Sequence, residues 1–255
     1  RIVIKCERGN SLMQEKSDIS SVRRSNFLAV SGYLRGHESA TIPQLAEETG
    51  LSLPTVTRAI NSGIGLRVFT SVGICDSERG RKAVSYAINP DFMHCAAIYF
   101  FSDTLHFEVF DFCFNRLHSC SCEISDDNAL ETLDKAVAES MKIDPKIGYY
   151  VFGVPGSVHD STIVDSWRFP SLEGIDLREH FSELTGKWVL VENNMRAVVK
   201  GAKKYLPDFD SETVVAYTFG VKKYGVGIAI NGQLITGACG RAGDIGKIFT
   251  PMSDR

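Results

Sequence analysis

The stretch that most constrains this chain is Trp188 to Ala202, W-V-L-V-E-N-N-M-R-A-V-V-K-G-A. Four apolar residues, Trp188-Val189-Leu190-Val191, form a short continuous run of the kind that a buried strand requires. The polar trio Glu192, Asn193 and Asn194 then stands where a strand gives way to a helix. In an α/β fold that edge is where ligands collect, which makes the trio a candidate binding group. The plainer alternative is a capped helix start whose polar groups are satisfied internally.

Four further segments stand around it: F-G-V-P-G-S-V (Phe152 to Val158), F-P-S-L-E-G-I-D-L-R (Phe169 to Arg178), Y-G-V-G-I-A-I-N-G (Tyr224 to Gly232) and G-R-A-G-D-I-G-K (Gly240 to Lys247). In this order, and with V-E-N-N-M-R-A between the second and third, they resemble the ROK family (repressor, open reading frame, kinase), whose sugar-binding signature reads V-E-N-D-A-N-A. The resemblance runs from about Ala96 onward, and is strongest to transcriptional regulators of the N-acetylglucosamine and xylose repressor type. It implies an actin-like (ribonuclease H-like) α/β module over residues 91–255. It also implies that the C-terminal part of that module, with the family's cysteine-rich zinc loop, is cut short or lacking here.

Bulk properties narrow the function classes. A chain of 255 residues holds one large or two modest domains with a real core. A net charge of -3 excludes a uniformly basic nucleic-acid coat, so any DNA contact must come from a local patch. No run of 18 apolar residues occurs, and the start R-I-V-I-K-C-E is too short and too charged for a signal peptide. A cytoplasmic protein without membrane contact is expected. The seven cysteines, odd in number and scattered through strand-like segments, suit reduced thiols better than a disulfide framework. His118, Cys120 and Cys122 could suggest a metal site, but their period of two reads as one face of a strand. No metal site and no cofactor are expected.

Residues 1–20 read as an N-terminal extension, and 21–90 as a winged helix-turn-helix. From Val22 apolar residues recur at helical spacing as far as Gly36. Next, T-I-P-Q-L-A-E-E-T-G-L-S-L-P-T-V-T-R-A-I places a small residue (Ala46), a turn glycine (Gly50) and an anchor (Val56) at the offsets of a helix-turn-helix. Any helical hairpin could show that pattern. Two alternating strands joined by a polar tip follow, however, as a wing requires. The tip carries Arg79, Arg81 and Lys82, suited to phosphates, with a solvated hairpin as the alternative. Ser52 is placed to cap the second helix, and Thr55, Thr57, Arg58 and Asn61 to face base edges or phosphates. Family repressors usually carry a basic or polar residue where Leu53 stands.

The kinase parts of the resemblance are altered. The kinases' first phosphate turn, Asp-x-Gly-Gly-Thr, becomes Tyr99-Phe100-Phe101-Ser102-Asp103, and their Gly-Thr-Gly loop becomes Val221-Lys222-Lys223. The catalytic aspartate falls on Asn194. Where the kinases place a sugar-binding asparagine stands Arg168; their Ala-Gly-Glu-Ile-Gly-His ends here in Asp244 and Lys247. The loop 157–161 is expected to border the sugar, and 169–178 to form a lid over it. The resemblance therefore assigns sugar binding to Glu192, Asn193, Asn194, Asp244 and Arg168, with no catalytic residue. A positioned base contributes typically ~10² to 10⁴-fold, so its loss cripples phosphoryl transfer.

These readings converge on a DNA-binding regulator, a repressor of carbohydrate-utilisation genes and not an enzyme. Its partners would be operator DNA, a sugar or sugar phosphate effector, and further copies of itself in a homodimer or homotetramer. Two alternatives stay open: a ligand-free regulator whose ROK module only dimerises or docks a protein, and an active sugar kinase.

Overall fold

The computed structural model describes residues 11–76, 82–101, 103–220 and 223–245. The chain divides into two compact units between Phe92 and Met93.

The first unit contains α1 (Ser11–Gly36), β1 (Ala40–Thr41), α2 (Ile42–Thr49), α3 (Leu53–Gly65), β2 (Phe69–Asp76) and β3 (Lys82–Ile88). Helix α1 covers residues 11–20 of the expected extension. The reason is local: Leu12, Met13, Gln14, Glu15 and Lys16 are strong helix formers, and no glycine or proline interrupts before Gly32. Thr41 opens α2 with a capping box, its side chain accepting from the Gln44 amide while the Gln44 carboxamide accepts from the Thr41 amide at 2.9 Å. Gly50, at φ 68°, closes α2 in the left-handed region as a turn glycine should. Val30, Leu45, Val56 and Ile60 are fully buried. Ala46 is half-buried beside Leu45. Strands β2 and β3 pair antiparallel, and the short β1 joins the far side of β3. The order is a helix pair and then a hairpin.

The second unit is built on a five-stranded sheet of order β10-β7-β4-β5-β6. Its strands are β4 (His94–Phe101), β5 (Thr104–Phe110), β6 (Arg116–Glu123), β7 (Ile147–Val154) and β10 (Trp188–Asn193). β4, β5 and β6 pair antiparallel; β10, β7 and β4 pair parallel. Three meandering strands followed by parallel strands on the other side of the first make an actin-like sheet. The period of two sorts the residues. Ala96, Ile98 and Phe100 point to one face with Tyr150, Phe152, Val189 and Val191, and all are buried. That face is covered by Leu133 and Val137 of α4 (Ala129–Ile143) and by Leu177 and Phe181 of α5 (Leu177–Thr185). The other face carries half-buried Cys95, Ala97, Tyr99, Tyr149 and Val151. All eight residues of β6 are exposed at the sheet edge, so His118, Cys120 and Cys122 do lie along a strand.

Two loop expectations need correction. Residues 157–161 belong to a hairpin, β8 (Ser157–His159) with β9 (Thr162–Asp165), turned by Asp160 and Ser161 at φ 46° and 72°. Two positive-φ residues make a type I′ turn, and Asp-Ser is a weaker sequence signal for it than Asn-Gly. The expected lid 169–178 is anchored: Phe169, Leu172 and Leu177 lie in the core, and the Phe169 ring packs 4.8 Å from that of Phe100.

Beyond β10, α6 (Asn194–Ala202) lies on an antiparallel sheet of β11 (Thr213–Gly220), β12 (Lys223–Ile230) and β13 (Gln233–Leu234). A Cβ on Gly227 would come within 2.3 Å of the Met195 carbonyl oxygen, so the glycines of β12 serve the close approach of α6. Among the described residues no helix is long and apolar enough to cross a membrane.

Candidate ligand-binding site

In the second unit, the ends of β4, β7 and β10, the start of α6, the β11–β12 pair and residues 240–244 enclose a cavity of about 850 Å³. Asn193, Asn194, Arg168 and Asp244 all line it. Each has protein partners. Asn193 is the N-cap of α6: its Oδ1 accepts from the amides of Met195 (2.9 Å) and Arg196 (3.1 Å), and its Nδ2 donates to the Gly156 carbonyl at 2.7 Å. Asn194 donates from Nδ2 to the Phe100 carbonyl at 3.0 Å, which ties the start of α6 to the end of β4. Its Oδ1 faces Gly153, where a Cβ would be 2.9 Å away, so only glycine leaves that carboxamide in place. Ser157, a buried residue of the segment expected to border the sugar though not itself among the assigned sugar-binding residues, donates to Asp244 Oδ2 at 3.3 Å. Arg168 pairs with Asp103, and its guanidinium lies 5.7 Å from the centre of the Phe169 ring.

Glu192 departs from the expectation. Its carboxylate turns away from the main cavity and accepts from Arg196 Nε at 2.6 Å and Lys200 Nζ at 3.3 Å. It lines instead a smaller cavity of about 390 Å³, with His159, Asp160 and Arg178. The cause is Arg196, whose side chain is 4% exposed. A guanidinium taken out of water needs an opposite charge and acceptors for its remaining donors. Arg196 finds them in Glu192, the Val158 carbonyl (2.9 Å) and the Gly240 carbonyl (3.3 Å). The one available signal was that Arg196 occupies the last asparagine position of V-E-N-D-A-N-A.

Part of the lining is apolar and aromatic. Tyr99 stacks on His106 with centroids 5.0 Å apart, while Phe101 is 63% exposed and Trp167 48% exposed. Desolvation, then the nearby Glu108 carboxylate, raises the Tyr99 pKa above its ordinary value. Among the described lining residues the charged groups are Asp103, Asp244 and Arg168. Ser102, Val221, Lys222 and Lys247 lie outside the described residues, and of Lys223 only the backbone is described. Among the described residues no group of three or more His, Cys, Asp or Glu side chains could hold a metal ion.

On α3, Arg58 and Asn61 are exposed one turn apart. Thr57 donates its hydroxyl to the Leu53 carbonyl at 2.8 Å. Ser52 is the N-cap residue, but its hydroxyl meets that of Thr55 at 2.9 Å and makes no side-chain cap bond. Arg79 and Arg81 lie outside the described residues; Lys82 is described only as the first backbone position of β3.

Residues 97–254 match the ROK family profile. The chain belongs to the ROK family. It is 25% identical over 223 residues to the xylose repressor of Bacillus subtilis, which covers 80% of this chain and 55% of the repressor. It is 28% identical over 127 residues to the glucokinase of Thermotoga maritima, covering 48% of this chain and 40% of the kinase. The chain therefore spans about half the length of these curated relatives. Among solved structures, a ROK family transcriptional regulator described as a homologue of the Escherichia coli Mlc protein superposes with a TM-score of 0.69 at 18% identity, covering 87% of this chain and 58% of that one. That likeness establishes the actin-like ROK fold. The family's relatives here are of both kinds, repressor and sugar kinase.

Proposed function

We propose that this ROK protein is a sugar-responsive, DNA-binding transcriptional regulator without kinase activity, a repressor of carbohydrate-utilisation genes. The observation that carries the reading is Asn194. It stands at the position of the kinases' catalytic aspartate, and a carboxamide cannot take a proton from a sugar hydroxyl. Its Nδ2 is moreover committed to the Phe100 carbonyl, beside the bulky turn that replaces the kinases' phosphate-binding glycines. Binding can outlast catalysis, because Ser157, Asp244, Asn193 and Asn194 still present hydrogen-bonding groups to the cavity.

The first unit supplies the output. α3 enters the major groove of operator DNA, with Arg58 and Asn61 as the exposed contacts, Ser52, Thr55 and Thr57 along the same helix, and Arg79, Arg81 and Lys82 on the wing phosphates. In a homodimer or homotetramer, sugar binding changes the spacing of paired recognition helices. The effector shifts that equilibrium by its differential affinity for the two shapes. Similarity to the Bacillus subtilis xylose repressor along 80% of the chain supports this direction.

A specific observation favours a second reading, the ligand-free regulator: Glu192 is consumed by Arg196 and Lys200, and Asn193 by its helix cap.

A thermal-shift screen of the purified protein against sugars, amino sugars, sugar phosphates and ATP separates the readings. Stabilisation by a sugar without ATP turnover supports the sensor; a ligand at about 100 times its Kd adds roughly 2.7 kcal/mol. Silence towards every compound favours the docking module, and ATP-dependent sugar phosphorylation overturns both.

A further inference from the structure

We infer that the effector is a neutral glycoside, an unphosphorylated sugar carrying an apolar aglycone such as an aryl group. This rests on reading the 850 Å³ cavity as the effector site, and adds the chemical class of the ligand.

Size is the first argument. Cavities of about 300–1,000 Å³ enclose drug-sized ligands. A single sugar ring, with about a dozen heavy atoms, leaves much of such a space unfilled. Part of the polar lining forms one hydrogen-bonded cluster: Ser157 is bonded to Asp244, and Asn193 to the Gly156 carbonyl next to Ser157. That cluster accommodates the hydroxyls of one ring.

Charge is the second argument. The described lining holds two carboxylates, Asp103 and Asp244, and one cation, Arg168, already paired with Asp103. A phosphate ester, carrying about -1.5 to -2 charges, would have to break that pair and enter beside Asp244. Like charges in a partly desolvated site repel, whereas a neutral ligand leaves the pair intact.

The third argument is the surface of the remaining space. Tyr99, Phe101, Trp167, Met195, Val198 and Tyr224 line it. Phe101, Trp167 and Val198 are exposed, at 63%, 48% and 55%. Exposed apolar side chains gathered in a concavity mark a binding surface, and aromatic rings stack on an aryl group or on the C–H face of a ring. Where the family's kinases bind nucleotide phosphates, this chain presents a greasy wall. An apolar aglycone is the part of a ligand that such a wall recognises.

Calorimetric titration of the full chain at fixed ionic strength tests this. The probes are glucose, xylose and N-acetylglucosamine, their p-nitrophenyl β-glycosides, and the 6-phosphates of glucose and N-acetylglucosamine. The expected result is one p-nitrophenyl glycoside bound about tenfold more tightly than its free sugar, with the 6-phosphates weaker than both. Phe101→Ser, at an exposed position, then brings the glycoside-to-sugar ratio down towards one. Equal affinities for sugar and glycoside overturn this inference and leave the sugar-sensor reading standing. A 6-phosphate that binds tightest also overturns it. Binding of none of the probes removes the sensor reading together with the inference.

Discussion

At the scale of single residues, the contrast between two arginines shows what burial does to an ion pair. Arg196 is buried with Glu192, so removing it takes away the buried partner of that carboxylate, leaving it Lys200 at the rim, and leaves two backbone carbonyls without their donor. Arg196→Met should therefore lower stability by about 3–5 kcal/mol in urea unfolding, and a change below 1 kcal/mol would refute the account. Asp103, by contrast, is 68% exposed, and Asp103→Ala should cost less than about 1 kcal/mol despite its pair with Arg168. Cys95 supplies a pH dependence. Burial pushes its thiol from 9.0 to about 11, so between those values the unfolded chain gives up a proton that the folded chain keeps. Stability should fall as pH rises through that window, by up to about 1.4 kcal/mol per pH unit, and Cys95→Ala should flatten the slope. Of these residues the sequence singled out Glu192 and Arg168 for a role. Nothing local distinguishes an arginine that will be buried from one that will not.

At the scale of elements, the junctions carry the information. Gly63 lies in the last turn of α3, where a Cβ would be 2.0 Å from Phe69 Cδ2, and Phe69 in turn stacks on Phe27 of α1 with centroids 5.2 Å apart. Gly63→Ala should overpack this corner and cost about 1–3 kcal/mol, read as a lowered Tm of the first unit. In the β8–β9 turn, Ser161→Gly relieves a positive φ and should raise stability by up to about 1 kcal/mol in the same urea assay. Strand and helix types were legible wherever period was strong: β4 and β5 alternate residue by residue, and α4 buries Ala129, Leu133, Val137 and Ser140 at helical spacing. β1 was not, because two residues of strand have no period. The β8–β9 hairpin was hidden by its turn residues, and the anchoring of 169–178 by the fact that core and lid aromatics look alike in sequence.

At the scale of the whole molecule, the proposal requires two separable functions. Arg58→Ala with Asn61→Ala should weaken operator binding in a gel-shift assay while leaving the sugar-induced thermal shift intact. Ser157→Ala with Asp244→Ala should do the reverse, abolishing the thermal shift while DNA binding persists. Loss of both activities in either variant would contradict the division of labour. The family and the α/β class were readable because five separated segments keep their order, and order survives when individual residues change. The composition of the cavity was readable in part: Asn193, Asn194, Asp244 and Arg168 meet there as expected.

The sequence by itself determined the strand periods, the turn glycine Gly50, the division near residue 90 and the replacement of each kinase part, since these depend on residues adjacent in the chain. Only the tertiary structure decided where Glu192 points. Its direction depends on a buried Arg196 whose other acceptors, Val158 and Gly240, come from segments 38 and 44 residues away. Desolvation acts on a guanidinium through everything packed around it, and one-dimensional order does not contain that packing.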